Sequence, residues 1–342
     1  MEKQTNTDVL IQVQNLSVKY GTRLGDVSAV DGLSLDIRRG EILGLVGESG
    51  CGKSTFGKAL LRMIAPPGEI CDGEIIFEGE NILTYNQEQI RDFRGRKAAM
   101  IFQDPMTSLN PVQRVDEHII EAIKVHEEGT TKANARERAN SFVKRLGIQS
   151  ERLADYPHQL SGGMRQRIMI ALGLILNASL VVADEATTSL DVIVEAKLLD
   201  ELQTIRQVFG VTLLLITHNI AVVAQLADRV AVMYAGRLME IGTVFEIFDH
   251  PLHPYSQGLL KSVPSIKLDE RDELYRMPGE PPNLTHPPQG CRFHPRCPMA
   301  MSICKQTQPD LISISPEHQV HCWLYQESEI DPQAGRLKGT LV

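Results

Sequence analysis

The feature that most constrains the fold is a glycine-rich stretch that directly follows an apolar run. Residues 41–46 read Glu-Ile-Leu-Gly-Leu-Val, which is typical of a buried parallel strand. The next eight residues, 47–54, match the pattern G-x-x-x-x-G-K-[ST], and a helical pattern follows to Ile64. A strand, this loop and a helix in that order predict a phosphate-binding loop, because backbone N–H groups and a helix N-terminus then converge on one anion.

Two side chains of this loop have predicted roles in nucleotide chemistry. Lys53 should reach the β- and γ-phosphates, and the Ser54 hydroxyl should bind Mg²⁺. A glycine-rich structural turn is the alternative, which the preceding strand and the following helix disfavour. The loop residues that we expect to contact the nucleotide are Gly47, Ser49, Gly50, Cys51, Gly52, Lys53, Ser54 and Thr55.

A second apolar strand, residues 180–183, ends in two acidic residues. Asp184 can hold Mg²⁺ through a water molecule, and Glu185 is placed to polarise the attacking water as a general base. By themselves, two acids after a strand more often belong to the start of a helix. Together with the phosphate loop they predict a nucleoside triphosphatase.

Strand-like and helical segments alternate along the first 250 residues, which indicates a parallel α/β sheet. Short strand-like runs occupy residues 9–46, and residues 70–102 also have the pattern of strands. Residues 114–175 are mostly helical by periodicity. A third apolar strand at 211–216 follows a helical pattern near 192–209.

Composition and charge limit the classes of function. Hydrophobic residues make up 42% of the 342 residues and charged residues 23%, as in a soluble globular protein with a sizeable core. The net charge of -8 argues against binding to a phosphate backbone of nucleic acid. The longest apolar run, Ile168–Ala183, is too short for a membrane span and predicts a buried helix followed by a buried strand. The polar first residues contain no signal peptide pattern, so we expect a cytoplasmic chain.

A motif before the second acidic strand resembles that of a known family. Residues 160–167, Leu-Ser-Gly-Gly-Met-Arg-Gln-Arg, resemble the signature motif of ABC ATPases, with Met164 where many cassettes have Gln. The alternative is a helix N-terminus capped by Ser161, with glycines for close packing. In this family two cassettes clamp head to tail. The resemblance therefore implies that Ser161, Gly162 and Gly163 contact ATP held by the partner cassette.

Other residues match the family in order along the chain. Gln103 corresponds to the Q-loop glutamine, which senses Mg²⁺ and the attacking water and faces the membrane subunit. Asp191 lies in the D-loop that bridges the two ATP sites, and His218 matches the switch histidine that contacts the γ-phosphate. Tyr20 resembles the aromatic residue that stacks on adenine. One departure is Ala186, where the family usually has Pro, but both acids before it are present.

The family resemblance implies a P-loop NTPase with a RecA-like core and an antiparallel β region near the N-terminus. A helical subdomain over roughly residues 104–176 would carry the signature motif. The resemblance also predicts a nucleotide-binding domain over residues 1–249, followed by a C-terminal extension over 250–342.

Further stretches resemble the oligopeptide/dipeptide importer branch of this family, over about residues 9–323. They are residues 103–111, 156–159, 253–255 and 291–298. This resemblance implies an ATPase that uses ATP and Mg²⁺ to power peptide uptake at the cytoplasmic face of the membrane. The expected partners are a second ABC ATPase subunit, usually a different chain, two transmembrane permease subunits and an extracytoplasmic solute-binding protein. The alternatives are import of nickel or another small solute, a soluble ABC ATPase, and an ATPase for an exporter, which the importer-like tail disfavours.

The C-terminal part of the chain has a different composition. Ten prolines lie between residues 251 and 298, which predicts an irregular appendage that does not continue the sheet. Four of the six cysteines, in the pattern C-x5-C-x6-C-x17-C, are also here: Cys291, Cys297, Cys304 and Cys322.

Four interpretations of these cysteines remain open. Disulfides are disfavoured in a reducing compartment, and four clustered thiols make unliganded side chains the weaker alternative. Zinc suits four thiolates, but the usual C-x2-C spacing is missing. A [4Fe–4S] cluster also binds four thiolates, and its size suits wider spacing. The importer branch is reported to hold such a cluster in some members, so the resemblance favours it. We expect it to stabilise a segment that has little apolar core.

Overall fold

The structure is a computed structural model, and it contains two β-sheets and eight α-helices in the part of the chain that it describes. The described residues are 9–101, 109–184, 203, 204, 206, 208–262 and 276–326. The predicted helix near 192–209 lies largely outside them.

The smaller sheet is antiparallel, with the order β2-β1-β4-β5. Its strands are β1 (Val9–Thr22), β2 (Gly25–Arg38), β4 (Gly68–Phe77) and β5 (Glu80–Asn81). The sequence predicted several short strands over residues 9–46, whereas β1 and β2 have 14 residues each. Register shifts between Val13 and Leu16 absorb the turn-like residues, so one long strand continues through them.

The larger sheet has eight strands in the order β11-β12-β10-β9-β3-β8-β7-β6. Five central strands are parallel: β3 (Ile42–Val46), β6 (Ala98–Ile101), β7 (Leu180–Asp184), β8 (Thr212–Ile216) and β9 (Arg229–Tyr234). The three predicted apolar strands are β3, β7 and β8, and every residue in them is buried. Their continuous apolar character follows from layers that cover both faces of the sheet.

The two faces of the larger sheet belong to two hydrophobic cores. Along β3, Leu43 and Leu45 join the core formed with the smaller sheet, α1 (Lys53–Leu60) and α2 (Gln87–Arg96). Ile42 and Val46 point to the opposite core. This second core includes three helices of the region predicted to be helical: α3 (Val115–His126), α4 (Lys132–Arg145) and α5 (Gly162–Leu174).

The prediction of strands throughout residues 70–102 was wrong for α2. The Asn86 side chain accepts a hydrogen bond from Gln89 N–H, and the Gln89 side chain accepts one from Asn86 N–H. This capping box starts the helix. By contrast, the run Ile168–Ala183 forms the end of α5 and then β7, as predicted. No helix among the described residues is long and apolar enough to cross a membrane.

The backbone after residue 276 is mostly irregular, as predicted, but the prediction that this part does not continue the sheet was wrong, because two short strands extend the larger sheet. Strand β10 (Arg237–Thr243) runs antiparallel to β9. Strand β12 (Gln319–Val320) pairs with the opposite edge of β10. The outermost strand is β11 (Ile312–Ser313). Two-residue strands between prolines leave no periodicity in the sequence, so only the fold reveals them.

This extension also shares the main core, contrary to the expectation of little apolar core. Tyr255 and Phe293 are fully buried and pack on Tyr234 of β9, with ring centroids 4.6 and 5.3 Å away. The buried Glu240 carboxylate accepts hydrogen bonds from the backbone N–H groups of Leu252 and His253. The remaining helices are α6 (Ile220–Leu226), α7 (Val244–Asp249) and α8 (Pro254–Lys261).

Candidate functional site

The loop between β3 and α1 has a backbone that only glycine can form at two positions. Gly47 has φ +152° and Gly52 has φ +104°. A Cβ atom at Gly47 would lie 2.0 Å from the carbonyl oxygen of Met233, and one at Gly52 would lie 2.0 Å from that of Ala29. The loop is therefore pressed between β9 and β2, which fixes its curvature around the phosphate position.

Lys53 is buried at the start of α1, and its ammonium group lies within the loop. Its Nζ donates hydrogen bonds to the carbonyl oxygens of Gly47, at 2.8 Å, and Glu48, at 2.9 Å. The first turn of α1 contains no acidic residue, so the positive end of the helix dipole is uncompensated. A cation and a helix N-terminus at one place are suited to binding an anion, and the contact of Lys53 with phosphate stays a prediction.

Three side chains, those of Ser54, Gln103 and Asp184, are predicted to bind Mg²⁺, and the two that the structure describes lie side by side. The Ser54 hydroxyl donates a hydrogen bond of 2.7 Å to Oδ1 of Asp184, the last residue of β7. A hydroxyl and a carboxylate oxygen are ligands that Mg²⁺ prefers. This donor set fits the cation, and its position beside the phosphate loop agrees with a nucleotide-bound metal.

His218 follows β8, and its position is consistent with the predicted role. Strands β3, β7 and β8 are parallel neighbours, so their carboxyl ends meet at one edge of the sheet. Thr217 N–H donates to the carbonyl oxygen of Leu45 at 3.4 Å, which aligns the end of β8 with the beginning of the phosphate loop. His218 is exposed at this edge. Its contact with the γ-phosphate stays a prediction.

The signature residues lie at the start of α5, away from packed neighbours. Ser161 caps the helix, because its Oγ accepts a hydrogen bond from Met164 N–H at 3.3 Å. Ser161, Gly162 and Gly163 are exposed, and an added Cβ at either glycine would meet nothing within 4 Å. Close packing against the part of the chain that the structure describes therefore does not explain the glycines. An open glycine surface is suited to contact with another molecule.

The other predicted nucleotide-site residues are not all described. Tyr20 is half-buried on β1 and opposite Gly68, and its contact with adenine stays a prediction. Gln103, Glu185 and Asp191 lie outside the described residues, so their roles also stay predictions.

The C-terminal extension contacts the phosphate loop, and no sequence pattern predicted this contact. Glu48 N–H donates to the Tyr255 hydroxyl at 2.9 Å, and the Glu48 carboxylate receives two hydrogen bonds from Arg296, at 2.8 and 3.0 Å. Burial raises the pKa of Tyr255 well above its usual range, so the hydroxyl remains protonated. These residues are more than 200 positions from Glu48 and have no motif of their own.

The fold brings the four cysteines of the extension near enough for their charges to interact. Burial, and then the charges of the other three cysteines, raise the pKa of the Cys322 thiol to about 12, against a lowering effect of Leu324 N–H. Cys291 N–H also donates to the carbonyl oxygen of Cys304 at 2.9 Å. However, no group of three or more His, Cys, Asp or Glu side chains among the described residues has an arrangement that could hold a metal ion.

Two protein-family models match this chain, one in its N-terminal part and one in its C-terminal part. Residues 30–188 match the model of the ABC transporter family, and residues 239–304 match that of the oligopeptide/dipeptide transporter C-terminal region. The dipeptide transport ATP-binding protein DppD of Bacillus subtilis is 44% identical over 321 residues, covering 93% of this chain and 95% of that protein. The oligopeptide transport ATP-binding protein OppD of Salmonella typhimurium is 44% identical over 318 residues, covering 92% and 94%.

Solved structures agree with the predicted P-loop NTPase fold. The cassette MJ0796, in a dimeric post-hydrolysis state bound to ADP and Pi, has a TM-score of 0.61 at 23% identity, covering 68% of this chain and 98% of that one. The protein cbiO1 of Clostridium perfringens has a TM-score of 0.60 at 28% identity, covering 71% and 92%. The phosphate loop, the Ser54–Asp184 pair and relatives that match almost end to end lead to one conclusion. The chain belongs to the ABC transporter family, among the ATP-binding subunits of its dipeptide and oligopeptide branch.

Proposed function

We propose that this chain binds and hydrolyses ATP with Mg²⁺ to power the uptake of dipeptides or oligopeptides. The observation that carries the proposal is the phosphate loop with Lys53 inside it and the Ser54–Asp184 pair beside it. The peptide cargo rests on relatives that are named as dipeptide and oligopeptide transport proteins.

The proposed assembly contains a second ABC ATPase subunit, two permease subunits and a solute-binding protein. The chain would lie peripherally on the cytoplasmic face of the membrane. The exposed signature residues support a facing cassette, because an added Cβ at their glycines would meet none of the described residues within 4 Å. We also propose the division into a nucleotide-binding domain, residues 1–249, and an extension, residues 250–342.

Within the site, we assign general-base catalysis to Glu185, which immediately follows the Mg²⁺ ligand Asp184. Gln103 and His218 would contact the attacking water or the γ-phosphate, and Asp191 would link the two sites. Catalysis of this kind depends mainly on positioning and on stabilising charge in the transferred phosphoryl group.

The test of hydrolysis is Glu185→Gln in the assembled transporter, with the same change in both cassettes. ATP binding should remain, while turnover should fall by at least about 100-fold because the water loses its base. The matched control is Glu88→Gln, which removes an exposed carboxylate on α2. Steady-state hydrolysis like that of the wild type, or peptide uptake unaffected by the change, would refute the assignment.

The test of the shared site is subunit-resolved photolabelling with an ATP analogue. Gly163→Ala should fold, since the new Cβ meets nothing within 4 Å. Gly163→Ala should reduce photolabelling of the partner cassette and leave photolabelling of this chain unchanged. Lys53→Ala should instead reduce photolabelling of this chain and leave that of the partner cassette unchanged. Loss of label on this chain alone after Gly163→Ala would rule out the head-to-tail arrangement.

We further propose that Cys291, Cys297, Cys304 and Cys322 hold a [4Fe–4S] cluster with a structural role. Cys291, Cys304 and Cys322 are buried and Cys297 is half-buried, and four buried thiolates would need a cationic centre. Backbone N–H groups already point at three of the sulfurs: Phe293 and His294 at Cys291, Met299 at Cys297 and Leu324 at Cys322. Such N–H groups stabilise cluster sulfurs.

Purification without oxygen tests this proposal. The protein should be brown and contain iron and acid-labile sulfide in equal amounts. Cys322→Ser should bleach it, while Cys71→Ser, which changes an exposed cysteine on β4, should not. A colourless protein with stoichiometric zinc, or one free of metal, would contradict the cluster.

A further inference from the structure

We propose that Arg296 of the C-terminal extension is a positioning residue for the phosphate loop and acts through Glu48. The proposal concerns ATP binding by this chain itself, and it requires neither the cluster nor a particular cargo. Its basis is a continuous set of contacts from the extension to the phosphate-binding lysine.

The contacts converge on Glu48 from three directions. Its carboxylate accepts hydrogen bonds from Nη1 and Nη2 of Arg296, and its backbone N–H donates a hydrogen bond to the Tyr255 hydroxyl. Its carbonyl oxygen accepts the hydrogen bond from Lys53 at 2.9 Å. The peptide group that orients Lys53 therefore belongs to a residue whose side chain and amide are both held by the extension.

Arg296 is itself fixed before it reaches the loop. Its Nε donates to the carbonyl oxygen of Pro278 at 2.9 Å, and its Nη1 also donates to the Tyr234 hydroxyl at 3.2 Å. The guanidinium carbon lies 5.7 Å from the centre of the Tyr234 ring. A planar guanidinium held in this way presents two parallel N–H groups to one carboxylate, and a lysine could not reproduce that geometry.

Charge gives the pair a functional consequence. Glu48 carries a carboxylate in the loop that must accept the highly negative phosphates of ATP. The Arg296 side chain is 6% exposed and that of Glu48 is 22% exposed, so water and salt screen the pair only in part. Without Arg296, the carboxylate would repel the nucleotide and would no longer be oriented. A unit charge about 10 Å away, at an effective dielectric constant of about 20, changes affinity on the order of tenfold.

A double-mutant cycle on the full chain tests this inference. The dissociation constant of MgATP is measured by equilibrium titration for the wild type, Arg296→Met, Glu48→Gln and the double variant. We expect Arg296→Met to weaken binding about tenfold when Glu48 is present, and less than about twofold in the Glu48→Gln background. A structural role alone would give the same loss in both backgrounds.

Arg292→Met is the matched control. Arg292 is equally buried, lies four residues earlier, and contacts the carboxylate of Asp31 and the carbonyl oxygen of Ala235, outside the phosphate loop. Any loss that it causes should be the same with Glu48 and with Glu48→Gln. If Glu48→Gln rescues Arg292→Met as well as Arg296→Met, the inference is overturned.

A second variant keeps the test decisive if Arg296→Met does not fold. Arg296→Lys retains the charge but loses the two-point contact, so we expect an intermediate loss of affinity that grows with salt concentration. In the assembled transporter it should raise KM for ATP more than it lowers kcat, because the chemical step is not altered. An Arg296→Lys variant that binds MgATP like the wild type at all salt concentrations would refute the proposal.

Discussion

Gly52 offers the sharpest test of how the phosphate loop is built. It follows the exposed turn of the loop and immediately precedes Lys53, with φ +104°. In Gly52→Ala, the new Cβ would lie 2.0 Å from the carbonyl oxygen of Ala29 on β2. Backbone atoms must therefore move, either in the loop or in the strand.

The cost can be worked out from two contributions. A backbone angle this far from the allowed regions costs a non-glycine residue about 1–3 kcal/mol. The overlap with a backbone carbonyl adds about 1–3 kcal/mol, as overpacking does in a core. The sum is about 4 kcal/mol. Gly32→Ala is the control, because Gly32 has φ +62° and an added Cβ meets nothing within 4 Å. It should cost about 1 kcal/mol.

The assay is thermal unfolding of the two variants, followed by MgATP titration. With an unfolding entropy of about 2.1 cal/mol/K per residue over 342 residues, a difference of about 3 kcal/mol corresponds to a melting temperature lower by about 4 °C in Gly52→Ala than in Gly32→Ala. ATP affinity should fall by at least about 100-fold only in Gly52→Ala, because the displaced loop no longer directs its N–H groups at the phosphates. Equal melting temperatures together with normal ATP binding would refute this account of the loop.

Two further predictions concern the metal ligands and the extension. Ser54→Ala removes the hydroxyl beside Asp184, so the strengthening of ATP binding by Mg²⁺ should be about 10–100-fold smaller than in the wild type. ATP titrations with and without EDTA measure this effect. An unchanged Mg²⁺ effect would exclude Ser54 as a ligand. Burial lowers the pKa of His253 to about 4, below the unfolded value of 6.5, so its contribution to stability is complete above pH 6.5 and is lost as pH falls towards 4. Between pH 7 and 5 the loss is about 2 kcal/mol. His253→Asn keeps a helix-capping residue and should lose correspondingly less on acidification in urea unfolding; parallel pH profiles would contradict this.

The amino-acid sequence was sufficient to predict parts of the site wherever the chemistry depends on residues that are close along the chain. The phosphate loop, the apolar strand before it and the helix after it are consecutive, so backbone geometry and anion binding follow from local order. The same holds for Asp184 at the end of a continuous apolar run. Parallel strands place such ends at one edge of the sheet, which is why the Ser54–Asp184 pair could be predicted without a structure.

The extension could not be predicted in this way, because its interactions depend on contacts between distant residues. Strand β12 has only two residues, and it is a strand because it pairs with the edge of β10. Helix α2 differs from the extension in this respect. Its capping box is a local sequence signal that could have predicted the helix, and it was missed. Arg296 and Glu48 are 248 positions apart, and nothing near either of them predicts a partner. Tertiary packing alone brought this pair of opposite charges together, with Arg296 buried and Glu48 half-buried, and it thereby connected the C-terminal extension to the phosphate loop.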